Sequence, residues 1–340
     1  MFEILPTSMD DFANEIYTAI HDFLEAPEQQ ANPKAIPEKS LEWFDHYLPA
    51  MYHAYINLGD DHSRRILLSI ILFHFTQRFL PSTPFLWRTD TDEYRDYIRL
   101  EQPVPSQLKI SGLFGELWHF DFVYQGERYI ADCAKSIEYY LFRKQYYYAV
   151  AGVQVMPEPG DYLIDGGGCT GDSTVVFSNS VGPGGKVYCF DLIEDHVKLL
   201  EYNAAQYAYR NVEVMPYGLA NETVVAPPLK INCYDPSYSI FVYDLVVPLV
   251  TLDSLVESGR IPKVDFIKLD VECSELVALK GSHQTILKFK PKLAISIYHY
   301  TNDFFDLVNY ITILYPFYDL YVSHYTHEKF ETVLYCKAKS

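Results

Sequence analysis

Basic residues are scarce in this chain, and none run together beyond the pairs Arg64-Arg65 and Arg143-Lys144. Lysine and arginine number 27 against 45 aspartates and glutamates, a formal net charge of −18. A field of that sign opposes nucleic acid and anionic membrane surfaces, because neutralised phosphates supply most nonspecific affinity. Nucleic acid is therefore not an expected partner. Cysteine is sparse too. Its six positions, 133, 169, 189, 233, 273 and 336, contain no C-x-x-C pair. That removes the short-spaced metal and redox pairings, and leaves reduced thiols in apolar surroundings. Long apolar runs are missing. The most apolar stretch, residues 66–73, is too short to span a bilayer and runs into His74, Gln77 and Arg78. The acidic start, MFEILPTSMDDF, lacks a signal-peptide profile. Together these point to a soluble, cytoplasmic protein with no membrane insertion. The pattern G-x-x-x-x-G-K-[ST] is also absent, which disfavours a phosphate-cradling loop.

What is present centres on residues 161–191, DYLIDGGGCTGDSTVVFSNSVGPGGKVYCFD. A short apolar strand ends on Asp165, and a glycine-rich turn follows. Asp172, Ser173 and Thr174 can cap a helix running to about residue 180. Pro183-Gly184-Gly185 breaks it, and a second strand ends on Asp191. In open α/β sheets such a place binds a nucleoside-containing ligand at the carboxyl ends of the strands. Gly166, Gly168 and Gly171 have dinucleotide-like spacing, but acids flank the turn. A pyrophosphate would be repelled there, whereas the sulfonium and ammonium of S-adenosylmethionine would be attracted.

The 340 residues suggest about two domains, and 49% hydrophobic content is ample for a large core. Residues 1–115 read as a helical region. Apolar residues recur at helical spacing over 10–24, 41–58 and 63–80, with a proline-containing connection over 26–39 and prolines 81 and 84 as a stop. No chemistry is legible there, and self-association is one use for such helices. The remaining domain, 116–340, has its core over 145–340. Alternation around Gly126 predicts a hairpin over 117–130. A helix is expected over 134–149, where Tyr139, Tyr140 and Tyr146-Tyr147-Tyr148 either line a pocket or pack. A third strand is expected at 212–215, hairpins within 217–250, and a buried strand over 264–270 ending on Asp270. A helix to about 287, a strand at 291–299 ending on His299, a helix over 303–314 and a final hairpin at 318–324 and 330–336 complete the pattern.

LIDGGGCTGDST, VYCFD, VTLDSL, VDFIKLDVECSELVALKG and LAISIYH follow one another in that order. Over residues 145–300 the chain resembles the FkbM family of S-adenosylmethionine-dependent methyltransferases. The resemblance implies a Rossmann-like class I methyltransferase sheet of seven strands, the last antiparallel, and O-methylation of small molecules such as sugars or natural products. The chain departs from the family pattern at Cys273, where glycine is usual, at Gly168-Cys169-Thr170, and at Asp191-Leu192, where Glu-Pro is usual.

Asp165, Asp191, Asp270 and His299 all end predicted strands and should converge at one sheet edge. Gly166, Gly168 and Gly171 are expected along the methionine portion of the cofactor, Asp165 near its ammonium and Asp191 on its ribose. Gly218 and Leu219 are expected near the adenine. His299 is the candidate general base, with Asp270 orienting it or meeting the acceptor. Asp270, Glu272 and Glu275 form an alternative Mg²⁺ set, although acids also suit a helix first turn. Two rivals stand beside this reading: a methyltransferase-fold binding module without chemistry, and a nucleotide-dependent oxidoreductase.

Overall fold

Residues 162–166, YLIDG, carry too little polarity to face water on either side, so they need helices over both faces. In the computed structural model, which describes residues 5–25, 38–76, 95, 103–110, 116–225, 248–326 and 330–339, they lie within the large sheet. The elements run α1 (Met9–Glu25), α2 (Glu38–Ile56), α3 (Asp61–Thr76), β1 (Val104–Pro105), β2 (Trp118–Tyr124) and β3 (Glu127–Cys133). Then come α4 (Ile137–Leu141), β4 (Tyr148–Val150), β5 (Val153–Val155), β6 (Tyr162–Gly166), α5 (Asp172–Val181), β7 (Lys186–Phe190), α6 (Glu194–Ala204) and β8 (Val212–Met215). They continue with β9 (Gly218–Leu219), β10 (Val224–Val225), β11 (Pro248–Val250), α7 (Leu252–Glu257), β12 (Phe266–Leu269), α8 (Glu275–Lys280) and α9 (His283–Phe289). The chain ends with β13 (Lys292–Ser296), α10 (Asp303–Leu314), β14 (Tyr318–His324) and β15 (Thr332–Ala338). The expectations placed on residues 26–37 and 77–84, and on 226–247, lie outside the described residues.

The large sheet has the order β14-β15-β13-β12-β6-β7-β8. β15 is antiparallel to both its neighbours, and the other pairings are parallel. This is a seven-stranded sheet with its last strand antiparallel, the arrangement that the resemblance implied. The chain winds outward from β6 to β8, then returns to β12 on the other side of β6. The carboxyl ends of β6 and β12 therefore flank the switch point, where such sheets leave a crevice.

Two family-like motifs turn out to be structural. Thr251 Oγ1 accepts the Ser254 N–H at 3.0 Å and so caps α7. Asp253 accepts the backbone N–H groups of Gln284 and Thr285 at 2.9 and 2.8 Å, at the start of α9. The single helix expected to reach residue 287 is instead two. Gly281 separates them, lying so close to Ala220 that a Cβ would sit 1.8 Å from its carbonyl oxygen.

The helix expected over 134–149 is mostly absent, and only α4 is helical. Lys144 and Tyr146 take positive φ of 60° and 69°, which no helix accommodates. Beyond them β4 and β5 pair around Ala151-Gly152, both at positive φ, as a tight two-residue hairpin requires. The hairpin expected from residue 117 is β2–β3.

The N-terminal helices pack on the β14 side of the sheet. Gly59 N–H donates to the Leu320 carbonyl at 2.7 Å, and Ser63 Oγ accepts the Val322 N–H at 2.8 Å. Phe12, Phe44, Ile66 and Ile71 belong to the same apolar cluster as Phe305, Ile311, Leu320 and Val322. Met9, Tyr17, Leu24 and Ile56 on these helices stay exposed. Among the described residues no helix is long and apolar enough to cross a membrane.

Candidate active site

The turn after β6 is squeezed between two strand ends. Gly167 and Gly168 donate to the Phe190 carbonyl at 2.9 and 3.0 Å. A Cβ on Gly167, at φ +82°, would lie 1.9 Å from the Asp270 carbonyl oxygen, and one on Gly168 would lie 2.1 Å from Cys189 Sγ. No side chain fits at either place. Gly167, which dinucleotide spacing skips, is the more constrained of the two. Gly171 occupies the N-cap position of α5, so Asp172, Ser173 and Thr174 do not cap it as expected. Ser173 and Thr174 instead donate their hydroxyls to Asp165 Oδ2 at 3.2 and 2.7 Å.

Asp165 does not face the crevice. It is fully buried, and its Oδ1 lies 3.0 Å from Lys268 Nζ. Parallel register places Asp165 and Lys268 side by side on β6 and β12. Lys268 also donates to the carbonyls of Gly166 and Gly167 at 3.1 and 2.7 Å. Burial alone would lower this lysine's pKa, but Asp165 and Asp270 hold it above its ordinary value. Expected near a cofactor ammonium, directly or through water, Asp165 in this structure is an internal counterion that ties the turn to β12.

Asp191 stands at the end of β7, as expected. Its Oδ2 accepts the Cys169 N–H at 2.9 Å. Its Oδ1 accepts the Ile193 N–H at 2.9 Å and lies 3.2 Å from His196 Nδ1. A carboxylate has about four lone-pair positions, so room remains for one more donor, such as a ribose hydroxyl. Gly218 and Leu219 are both buried in β9. Built onto Gly218, a Cβ would meet Leu249 and Leu192, so this wall presents apolar surface beside the residue that follows Asp191.

Asp270 and His299 meet at the ends of β12 and β13, with His299 Nε2 3.5 Å from Asp270 Oδ1. Tyr146 and Tyr298 donate their hydroxyls to Asp270 at 2.9 and 3.1 Å. Burial would raise the Asp270 pKa, but Lys268, His299 and the Tyr146 hydroxyl hold it below the usual carboxylate range. Glu275 Oε1 lies 3.0 Å from His299 Nδ1, and Glu272 Oε2 lies 3.5 Å from Nε2. Burial would lower the imidazole pKa, yet these three acids push it up to about 10. That direction favours the imidazolium at neutral pH, the form that donates rather than accepts a proton. That alters the role expected of it as a general base.

The Mg²⁺ set shifts as well. One donor atom each from Asp270, Glu275 and His299 lies within 4.8 Å of the others. Glu272 is 64% exposed and stands outside that group.

Several participants were not singled out from the sequence. Lys268 hides inside an apolar strand run, and only its register opposite Asp165 marks it. Tyr298 precedes His299. Tyr146 belongs to the tyrosine cluster, whose members divide: Tyr146 reaches the site, whereas Tyr148 packs on Tyr321 and Tyr335. Glu331, at φ +65°, accepts a hydrogen bond from Gln145. Burial, aided by the charge on Asp270, raises its pKa to about 7. A cavity of about 80 Å³ opens beside His299, Tyr298 and Thr301. Its far wall is α3, through Ile70, Phe73 and His74.

The family model described as Methyltransferase FkbM domain matches residues 165–325. Residues 165–325 are thus similar to the FkbM methyltransferase domain. A solved methyltransferase FkbM from Methylobacillus flagellatus is 22% identical, with a TM-score of 0.56; the match covers 87% of this chain and 60% of that one. Aeropyrum pernix fibrillarin, solved with S-adenosylmethionine, is 14% identical over 69% and 88% of the two chains, at a TM-score of 0.41. A Bacillus cereus O-methyltransferase solved with S-adenosylhomocysteine is 13% identical over 53% and 75%, at 0.36. Similarity at that level carries no functional argument. No curated protein matches the chain. The FkbM match contains the turn, Asp191, Asp270 and His299, whereas α3 and Tyr146 come from the chain before it.

Proposed function

We propose that this chain transfers a methyl group from S-adenosylmethionine to a hydroxyl of a small molecule such as a sugar or natural product, in the cytoplasm. The observation that carries the reading is the convergence of four groups at one sheet edge. The bare Gly167–Gly168 turn, Asp191 with a free lone pair, and Asp270 with His299 occupy neighbouring strand ends. Asp191 fits the cofactor's ribose, since it can still accept a hydroxyl. When bound, S-adenosylmethionine supplies an electrophilic methyl group, which leaves the protein to position the acceptor and handle its proton.

The chain's own residues divide that work. Tyr146 and Tyr298 hold both oxygens of Asp270 in place. Asp270 is charged and can accept a hydrogen bond from an acceptor hydroxyl that enters beside His299. His299 balances the acids and orients Asp270. Glu331, with its pKa near neutrality, is matched to receive a proton in this cluster. A small acceptor suits the restricted cavity under α3 better than a polymer does.

Calorimetry with S-adenosylhomocysteine and with NADH tests the reading. S-adenosylhomocysteine should bind and NADH should not. NADH binding alone would favour an oxidoreductase, and failure of both would favour a binding module without chemistry. Transfer of labelled methyl to pooled hydroxylated acceptors then tests the reaction class.

A further inference from the structure

We propose that Asp270, Glu275 and His299 form a site for one divalent metal ion that takes mixed oxygen and nitrogen donors, Mn²⁺ or Zn²⁺ rather than Mg²⁺. The three donors come from three places in the fold. Asp270 follows β12, Glu275 opens α8, and His299 lies three residues beyond β13. Their donor atoms already lie within 4.8 Å of one another. Metal bonds of about 2.1 Å place ligand atoms about 3 to 4 Å apart, so small side-chain adjustments close the set.

An acidic cluster alone would prove nothing; the imidazole is the second observation. The His299 side chain is only 6% exposed. Carboxylates approach both ring nitrogens, yet neither nitrogen makes a hydrogen bond of acceptable geometry. A buried imidazole edged by acids, but not hydrogen-bonded to them, is arranged as a ligand is. The outer contacts agree. Asp270 is held by the Tyr146 and Tyr298 hydroxyls, and Glu275 Oε1 accepts the Val271 N–H at 2.8 Å. Ligating carboxylates are normally fixed by partners of this kind. Lys268 Nζ cannot serve as the cation here, because Asp165 and two carbonyls engage it.

The donor set also selects the ion. Mg²⁺ prefers oxygen ligands and retained water, whereas imidazole suits zinc and other transition metals, and carboxylates suit manganese. The cavity of about 80 Å³ reaches His299, one of the three donors. A hydroxyl bound to such a metal would lose its proton more readily. This purpose rests on the proposed methyl transfer, although the site itself does not.

The test is a Mn²⁺ titration of the full-length protein, with free Mn²⁺ followed by electron paramagnetic resonance. One ion per chain is expected, displaced by Zn²⁺. Glu275→Gln and His299→Gln should each weaken binding by about tenfold or more, since even outer-shell losses reach that scale. Glu272→Gln should stay within about threefold. Absence of a stoichiometric ion on the wild-type protein overturns the proposal, whatever the variants do. Unchanged binding in both Glu275→Gln and His299→Gln overturns it too. Calorimetry with S-adenosylhomocysteine on the same samples keeps the two ideas apart. Manganese without S-adenosylhomocysteine binding would leave the metal site and remove the methyltransferase reading, and the converse would do the reverse.

Discussion

Replacing Lys268 with methionine should be among the most damaging single changes in this protein. The side chain is 1% exposed and its partner Asp165 is 0% exposed, with 3.0 Å between the charged atoms. At an effective dielectric of about 20, two unit charges at that distance attract by roughly 5 kcal/mol. Methionine fills a similar volume and needs no desolvation, which offsets part of that loss. What remains is Asp165 with hydroxyl partners but no counterion, and a Gly167 carbonyl that loses its 2.7 Å donor. Removing one member of a buried pair costs about 3–5 kcal/mol. We therefore expect Lys268→Met to lower unfolding stability by that amount in urea melts at an unchanged slope. Asp165→Asn in the same chain should restore part of it, with a coupling of about 2–3 kcal/mol in the double-mutant cycle. S-adenosylhomocysteine affinity should fall as well, because Lys268 holds the backbone of the glycine turn. A loss below about 1 kcal/mol for Lys268→Met, with coupling near zero, would refute the claim that this pair anchors the turn.

Asp191→Ala should weaken S-adenosylhomocysteine binding by about 1–3 kcal/mol, the cost of unmet buried polar partners; unchanged affinity by calorimetry would remove it from the ribose role. Gly167→Ala should destabilise by at least about 2 kcal/mol, since its Cβ would meet the Asp270 carbonyl at 1.9 Å in a left-handed backbone. Gly184→Ala, with its nearest neighbour at 4.0 Å, is the matched control and should change the melting temperature little. Glu331→Gln tests a pH dependence. The folded pKa of Glu331 is raised from 4.5 to about 7, so its stabilising contribution is fully present below pH 4.5 and is lost as pH rises through 7. The variant, which cannot titrate, should show a shallower fall in stability over that window; identical curves would mean that Glu331 ionises normally.

The sheet was legible because its strands are short apolar runs that end on acids or on histidine, and parallel strands buried on both faces look like that. Helix α10 has the expected bounds because its apolar spacing is strong. The segment after residue 134 misled for a local reason. Its tyrosines and aliphatics satisfy a helical pattern, but they also suit strands, and Ala151-Gly152 was a hairpin signal that the helical reading overran.

The site was legible as positions but not as chemistry. Strand ends predict that Asp165, Asp191, Asp270 and His299 come to one edge, and all four do. They cannot predict which way a side chain turns or which charges surround it. Asp165 turns inward because a lysine stands opposite it in the register of β12. His299 gains a proton because Glu275, which reads equally well as a helix-opening acid, points back at its ring. The same facts argue against a plain general base. An imidazole among three carboxylates favours its protonated form, and as a metal ligand it would have no lone pair left, so in neither state does it take the acceptor's proton. Either a metal held by Asp270, Glu275 and His299 lowers the acceptor hydroxyl's own pKa, or the proton goes to a group poised near neutrality. Glu331 is such a group, and Mn²⁺ binding decides between the two routes without a known acceptor.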